Sequence, residues 1–150
     1  MAVSTYNRTF AAMIAEEGGY TNHRADKGGP TNLGVTQGTL SRWLGRPATI
    51  AEIKALTRET VKPIYKVNYA NAVRYDELPP GIDYLAFDLA VNSGPRRAAV
   101  FLQEILGMKD ADGFIGPATV RAAWAVFNRD RRDLIDRYVE RFKNNCGNDK

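Results

Sequence analysis

Two carboxylates near the amino terminus have the residue type and the spacing for acid catalysis. Glu17 stands directly before Gly18 and Gly19, and Asp26 follows it by nine residues in a polar, glycine-rich stretch. A carboxylic acid that keeps its proton and a carboxylate that stays ionised across a cleft form the working pair of glycoside hydrolysis. Asp26 has a competing interpretation as a turn residue, because aspartate is common beside glycines in turns.

Helical periodicity separates Glu17 from its neighbour Glu16. We predict a first helix from Ser4 or Thr5 to Glu17, which ends at the glycine pair. Its apolar stripe consists of Phe10, Met13 and Ile14. Glu17 continues this stripe, whereas Glu16 lies about 100° away on the wetter side. Burial and the negative end of the helix dipole both disfavour a carboxylate anion there. We therefore predict Glu17 as the general acid, with a solvent-reaching or arginine-paired glutamate as the alternative.

Further polar and aromatic residues are candidates for substrate binding. Thr31 and Thr36 offer hydroxyls that could position a water molecule or a sugar. Tyr65 and Tyr69 share one helical face, and either could stack on a sugar, with packing in the core as the alternative. Of the two, we predict Tyr69 as a substrate-binding residue. Asn92 ends an apolar helix beside a glycine, where its amide either caps the helix or reaches into the cleft.

The histidine and cysteine content excludes several other chemistries. His23 is the only histidine and Cys146 the only cysteine in 150 residues. A zinc hydrolase needs several such ligands at fixed geometry, and one cysteine cannot form an internal disulfide. The sequence therefore implies no metal and no cofactor.

The charge is unevenly distributed along the chain. Residues 1–75 carry ten Lys and Arg against five Asp and Glu, whereas residues 76–150 carry eleven against twelve. The basic first half suits an anionic polymer, either nucleic acid or bacterial wall, although a net charge of +4 also simply favours solubility. The run RDRRD alternates in sign, which is typical of a solvated helix face, so we predict no nucleic-acid partner.

The remaining elements are predicted to be helices, apart from one small β-hairpin near residues 20–36, with extended pieces around residues 20–21 and 33–35. The segment IDYLAFDLAVNS, residues 82–93, is predicted to be a central buried helix. No apolar run is long enough to cross a bilayer, and no leader of a basic segment followed by an apolar core opens the chain. We therefore expect that the protein is synthesised in the cytoplasm. We expect no stable insertion into a membrane.

Three segments resemble the glycoside hydrolase family 108 muramidases, which include phage and prophage endolysins. These segments are EEGGYTNHRADKGGPTNLGVT, IYKVNYANAVRYDELP and FDLAVNSGPRRAAVFLQEILG. The family signature falls on the run from Glu17 to Tyr20, and its glutamate is the proposed catalytic acid. The resemblance implies a mainly α (α+β), lysozyme-like fold and makes Tyr20 a substrate-binding candidate. A fainter similarity to T4-type phage lysozymes matches Glu17, Asp26 and Thr31, although Thr31 stands one residue nearer to the aspartate.

Residues 111–120, ADGFIGPATV, resemble the turn of small peptidoglycan-binding modules. We accordingly predict a lysozyme-like catalytic region at residues 1–94 and a helical, peptidoglycan-binding-like region at residues 95–150 packed on it. Family members commonly continue further, which leaves wall binding by this region open.

Together these patterns predict an N-acetylmuramidase that cleaves the β-1,4 bond between N-acetylmuramic acid and N-acetylglucosamine. The alternatives are a lytic transglycosylase acting on the same bond and an inactive, lysozyme-like wall-binding protein. We expect a monomer whose partner is bacterial peptidoglycan and which reaches the wall after holin-type or other release.

Overall fold

The chain forms eight α-helices and a two-stranded hairpin over the residues that the computed structural model describes, 2–22 and 29–148. The helices are α1 (Ala2–Ile14), α2 (Gln37–Leu44), α3 (Ile50–Lys54), α4 (Arg58–Tyr65), α5 (Ile82–Ser93), α6 (Pro95–Ile105), α7 (Pro117–Arg129) and α8 (Arg131–Asn148). A π-helical turn (Lys66–Ala70) and a 3₁₀ turn (Tyr75–Glu77) connect α4 to α5. None of these helices is long and apolar enough to cross a membrane. The mainly helical prediction is confirmed.

The strands β1 (Thr31–Asn32) and β2 (Val35–Thr36) pair antiparallel, with Thr31 opposite Thr36. An isolated bridge between Thr21 and Thr31 adds one more pairing, with two backbone hydrogen bonds of 2.8 Å. The hairpin predicted near residues 20–36 is therefore confirmed. The extended piece predicted at 33–35 is wrong in one detail, because Leu33 and Gly34 form the turn rather than the strand.

Threonine hydroxyls begin the short helices that follow the hairpin. Thr36 caps α2 by accepting a hydrogen bond from the Thr39 amide at 3.1 Å. Thr49 and Glu52 form a capping box at the start of α3. Such caps satisfy amide groups that have no partner within the helix. The caps therefore stabilise the first turns of these short helices.

The chain divides into two compact units. The first, which we call the hairpin unit, is Asn7–Lys66; the second, the helical unit, comprises Met1–Tyr6 and Val67–Lys150. The described core of the hairpin unit consists of Phe10, Met13, Ile14, Val35, Leu40, Ala48, Ile53, Val61, Ile64 and Tyr65. The apolar stripe of the first helix, predicted from the sequence, is thus part of a buried core.

The helical unit is built around α5. Ile82, Phe87 and Leu89 on this helix are at most 1% exposed, as expected for an apolar helix inside a bundle. Phe87 also meets the rings of Tyr6 and Tyr75 edge to face, at centroid separations of 5.6 and 6.1 Å. This aromatic cluster ties the first residues of the chain into the core of the helical unit.

A buried glutamine organises the loop between α6 and α7. The Gln103 side chain, 1% exposed, donates to Asp112, to the Phe114 carbonyl and to Thr119, at 2.9–3.1 Å. It also accepts a hydrogen bond from the Gly113 amide at 3.0 Å. The turn at residues 112–114 is therefore held by the side chain of Gln103, which belongs to the preceding helix.

The predicted functional boundary at residue 94 lies inside the helical unit. The adjoining helices α5 and α6 pack against each other there. The division into residues 1–94 and 95–150 is therefore not a division between compact units. As a division of function it stays a prediction.

Candidate active site

The first helix ends in a tightened turn that carries the two glutamates. The amides of Glu16 and Glu17 donate to the carbonyls of Met13 and Ile14, at 3.2 and 3.1 Å. These bonds span three residues instead of four, a common way for a helix to end. For this reason α1 stops at Ile14, three residues before the predicted end.

The environments of the two glutamates differ as the helical phase predicts. Glu16 is exposed, whereas Glu17 is half-buried. Glu17 follows the buried stripe of α1, whose last member, Ile14, is 1% exposed. Of the two acids, Glu17 is the one placed at the edge of the core.

The hairpin turn opposite Glu17 has an unusual backbone. Leu33 and Gly34 both have positive φ, 52° and 77°, which is the pattern of a type I′ turn. Glycine adopts this conformation readily, but a leucine there costs about 1–2 kcal/mol. Contacts from other parts of the chain must therefore hold Leu33 in place.

Two hydrogen bonds hold the backbone of Leu33. Its amide donates to the carbonyl of Gly18 at 3.1 Å, and its carbonyl accepts from the hydroxyl of Tyr65 at 2.7 Å. The hairpin tip is thus attached both to the end of the first helix and to the end of α4. Of the two interpretations that the sequence offered for Tyr65, its 2% exposure supports packing in the core, and its hydrogen bond to Leu33 was not predicted.

The Glu17 carboxylate borders the tip of the hairpin at Gly34. A Cβ atom built on Gly34 would lie 3.0 Å from Oε2 of Glu17 and would collide with the hydroxyl of Tyr65. Only a residue without a side chain fits this position. Among the described residues, no hydrogen bond or ion pair holds the Glu17 carboxylate.

Tyr20 and Thr31 lie on the same hairpin unit as Glu17. The Tyr20 ring is half-buried, with Nζ of Lys54 5.1 Å from its centroid. The hydroxyls of Thr21 and Thr31 are 2.9 Å apart. The structure thus gives Thr31 a hydrogen-bond partner in the adjoining segment, and substrate binding by either residue stays a prediction.

Thr36 has a structural role as the cap of α2. Its hydroxyl accepts from the Thr39 amide and lies 3.0 Å from the Thr39 hydroxyl. This is the capping role that its position before a helix indicates. Contact with substrate stays a prediction for this residue.

Asn32 is a structural residue that sequence reasoning missed. Its side chain is 7% exposed and donates to the carbonyls of Ile53, Lys54 and Leu56, at 2.9–3.4 Å. These carbonyls lie at and beyond the end of α3, where helical partners run out. Buried amides need partners, but the sequence shows neither the burial of Asn32 nor the carbonyls that it meets.

Two predicted binding residues belong to the helical unit. Tyr69 is half-buried in the π-helical turn, a type of helix distortion that is frequent at functional sites. The Asn92 amide is exposed and donates to the carbonyl and the carboxylate of Asp88, at 2.8 and 3.3 Å. The structure thus gives Asn92 partners one helical turn earlier, and its role in a cleft stays a prediction.

The second predicted carboxylate, Asp26, lies outside the described residues, as does His23. Within the described parts of the chain, no group of three or more His, Cys, Asp or Glu side chains could hold a metal ion.

The hairpin unit also contains a groove of about 270 Å³. It is lined by Leu40, Trp43, Leu44, Glu52, Ala55, Leu56, Thr60 and Ile64. Trp43 and Leu44 are 40% and 39% exposed at this groove. None of the predicted site residues lines it, so the groove is not the predicted catalytic site.

Comparisons with known proteins agree with these assignments at the level of fold and family. The family model described as Glycosyl hydrolase 108 matches residues 10–94, a segment that includes every predicted site residue. The chain is similar to a solved structure of SagA from Brucella abortus, with 40% sequence identity and a TM-score of 0.76. That similarity covers 93% of this chain and 75% of SagA, and it confirms the lysozyme-like fold. Curated proteins gave no match.

Proposed function

Because the chain belongs to the glycosyl hydrolase 108 family, we propose that it is an N-acetylmuramidase that cleaves the β-1,4 bond between N-acetylmuramic acid and N-acetylglucosamine. Family membership makes it a glycoside hydrolase and supports a function of the peptidoglycan-hydrolase type. The observation that carries the mechanism is the position of Glu17, half-buried at the end of a helix with its carboxylate beside the hairpin tip.

In this mechanism Glu17 is the general acid. Its carboxyl group donates a proton to the glycosidic oxygen as the bond from that oxygen to the anomeric carbon breaks. The leaving sugar departs as an alcohol, and positive charge develops on the ring that remains. A water molecule then adds to the anomeric carbon and gives up a proton, which restores the starting protonation state.

Asp26 is the second carboxylate of the proposal. It stabilises the developing positive charge or orients the attacking water, which are the two roles open to the partner of the acid. Support for this role comes from the sequence, where Asp26 follows Glu17 by nine residues in a polar loop. The fainter similarity to T4-type lysozymes points to the same aspartate.

Mass spectrometry of the products from purified peptidoglycan tests the reaction. A hydrolase leaves reducing N-acetylmuramic acid ends, because water adds to the anomeric carbon. A lytic transglycosylase leaves 1,6-anhydro ends, because a hydroxyl of the substrate closes the ring. Reducing ends that disappear in Glu17→Gln support the proposal. Anhydro ends would assign the transglycosylase reaction, and no cleavage would leave a wall-binding protein.

The proposed partner is bacterial peptidoglycan, and the proposed site of action is the cell wall. Ten of the 21 Lys and Arg residues lie in residues 1–75 with only five Asp and Glu, which favours an anionic wall polymer. As a monomeric, bacteriolytic enzyme of the prophage endolysin type, the protein would reach the wall by holin-type or other release. Lysis of cells after induced expression, with and without a co-expressed holin, tests this route.

A further inference from the structure

Tyr65 connects three elements of the hairpin unit through its ring, its hydroxyl and its backbone. Its ring packs on Phe10 of α1, with a centroid separation of 5.7 Å and an interplanar angle of 59°. Its hydroxyl donates to the carbonyl of Leu33 at 2.7 Å, and its backbone ends α4. At 2% exposure, the side chain is part of the core. A buried tyrosine whose polar end reaches a turn beside a catalytic candidate is placed to control that turn.

The turn that Tyr65 holds forms one wall of the space around the Glu17 carboxylate. Gly34 approaches so closely that an added Cβ would lie 3.0 Å from Oε2 of Glu17 and 3.3 Å from its Cδ. The same Cβ would collide with the Tyr65 hydroxyl. The Tyr65 hydroxyl, Gly34 and the Glu17 carboxylate therefore lie side by side, with no space for a methyl group on Gly34.

The contact with the hairpin tip limits the directions that the Glu17 side chain can take. A glutamate has three side-chain torsions, and no hydrogen bond or ion pair from the described residues fixes its carboxylate. A displacement of about 1 Å in a catalytic group can cost about 100-fold in rate. The close approach of the hairpin tip limits where the carboxylate can go.

We propose that Tyr65 is a positioning residue for Glu17. By holding the Leu33 carbonyl, its hydroxyl keeps Gly34 against the Glu17 carboxylate and fixes the direction in which the acid presents its proton. The inference rests on the proposed function, in which Glu17 is the general acid.

The first test compares Tyr65→Phe with Tyr138→Phe. Tyr138 is a matched control, because it is 1% exposed and donates to a backbone carbonyl, that of Ala98, at 2.8 Å in the helical unit. Each variant loses a buried hydroxyl that donates to a backbone carbonyl. We expect similar decreases in melting temperature, whereas only Tyr65→Phe lowers kcat, by about 10- to 100-fold, with KM within about twofold of wild type. Initial rates on soluble, uncross-linked glycan strands give both constants.

The second test adds a methyl group at the tip. Gly34→Ala and Gly45→Ala share the cost of a left-handed alanine, since their φ values are 77° and 73°. A Cβ at Gly45 meets nothing within 4 Å, whereas one at Gly34 meets Glu17 and Tyr65. We expect Gly34→Ala to lower kcat far more than Gly45→Ala. A Gly34→Ala variant with the kcat of Gly45→Ala would overturn the proposal even if Tyr65→Phe does not fold, because the hairpin tip would then not control the acid.

The double variant Gly34→Ala/Tyr65→Phe examines whether both residues act at one contact. Removing the hydroxyl frees space for the added methyl group, so the combined loss of kcat should be smaller than the product of the two single losses. A full multiplicative loss would mean that the two residues act independently and would count against the proposal.

The outcomes separate this inference from the proposed function. If wild type releases no new saccharide ends, or if Glu17→Gln keeps the wild-type rate, the proposed function fails. If Glu17→Gln is inactive while Tyr65→Phe and Gly34→Ala behave like their controls, only the positioning role is overturned. A loss confined to KM overturns it as well, because a misdirected acid slows the chemical step.

Discussion

At the scale of single residues, Glu16 and Glu17 carry the same functional group in different surroundings. Glu16 is exposed, whereas Glu17 is half-buried beside the hairpin tip. Helical periodicity predicted this difference from the buried stripe of Phe10, Met13 and Ile14. In the tightened last turn, the hydrogen bonds that the amides of both residues donate span three residues rather than four.

Substitution of the two glutamates tests the assignment of the acid. Glu17→Gln should lower the rate of wall lysis by at least about 100-fold, the lower range for loss of a general acid. Glu16→Gln, one residue away and exposed, is the matched control and should retain nearly the wild-type rate. Turbidity of a cell-wall suspension reports both rates. Equal losses in the two variants would contradict the assignment.

Substitution of Asp26 tests its role in the transition state. If its carboxylate stabilises charge that develops only during bond cleavage, Asp26→Asn should lower kcat and leave KM nearly unchanged. Rates on soluble glycan strands, with a thermal melt of the same sample, measure both effects. A variant that keeps its rate and loses only modest stability would make Asp26 a turn residue. A variant that is fully active and equally stable would also favour the transglycosylase reaction.

At the scale of elements, the sequence predicted best where local signals agree. The helix over residues 82–93 was predicted with its observed bounds, because an apolar run lies between glycines at both ends. The end of α1 was predicted three residues too late, because tightening of a last helical turn leaves no pattern in the sequence. Leu33 was predicted as part of an extended piece, since nothing local indicates a leucine with positive φ.

The site shows the same limit. The sequence selected Glu17 because one helix determines its environment. It could not predict the interaction of Tyr65 with Leu33, which joins residues 32 positions apart. Contacts of this kind depend on how separate elements pack, and periodicity within an element contains no information about them. The anchoring of Asn32 to the end of α3 was missed for the same reason.

The loop between α6 and α7 depends on one buried side chain. Gln103→Met preserves the approximate volume but removes four hydrogen bonds and leaves the Gly113 amide without its partner. We expect a loss of about 2–4 kcal/mol in the free energy of unfolding. Glu104→Met, at the exposed neighbouring position, is the control and should change stability little. Urea denaturation measures both, and equal small effects would contradict the structural role of Gln103.

Asp83 at the start of α5 gives stability a specific pH dependence. Burial raises the pKa of its carboxyl above the ordinary value of 3.8, although hydrogen bonds from the amides of Tyr84 and Gly81 oppose this shift. The native state therefore binds the proton more tightly than the unfolded chain. Its contribution to stability is fully present below the unfolded pKa and is lost as the pH rises through the folded pKa.

The comparison with Asp83→Asn isolates this contribution, because asparagine retains an oxygen that can accept from the Gly81 and Tyr84 amides. The melting temperature of wild type relative to this variant should increase as the pH is lowered from about 7 to about 4. Thermal melts of both proteins in the same buffers measure the difference. A difference that stays constant, or that moves in the opposite direction, would show that Asp83 does not titrate in this way.

At the scale of the whole molecule, the charge distribution predicts how lysis responds to salt. The net charge is +4, and the excess of cations lies in the first half of the chain. Attraction to an anionic wall is screened over about 10 Å at 0.1 M salt. Lysis of whole walls should therefore weaken as ionic strength rises.

A short, uncharged chitooligosaccharide that the enzyme cleaves is the matched substrate control. Its cleavage should depend on salt much less than lysis of the wall, because long-range attraction contributes little to its binding. One salt series with both substrates separates attraction from catalysis. Equal salt dependence for the two substrates would mean that the basic half does not attract the wall.

The left-handed Leu33 also makes the hairpin tip a late-forming part of the hairpin unit during folding. Leucine does not favour this turn by itself, and its backbone is held by Gly18, fifteen residues earlier, and by Tyr65, 32 residues later. The hairpin tip therefore gains its order only after α1 and α4 have come together, since such non-local contacts form after their loops close. Losing the Tyr65 hydroxyl should accordingly accelerate unfolding more than it slows folding. In native-state hydrogen exchange, the Leu33 amide should open before the amides of α5.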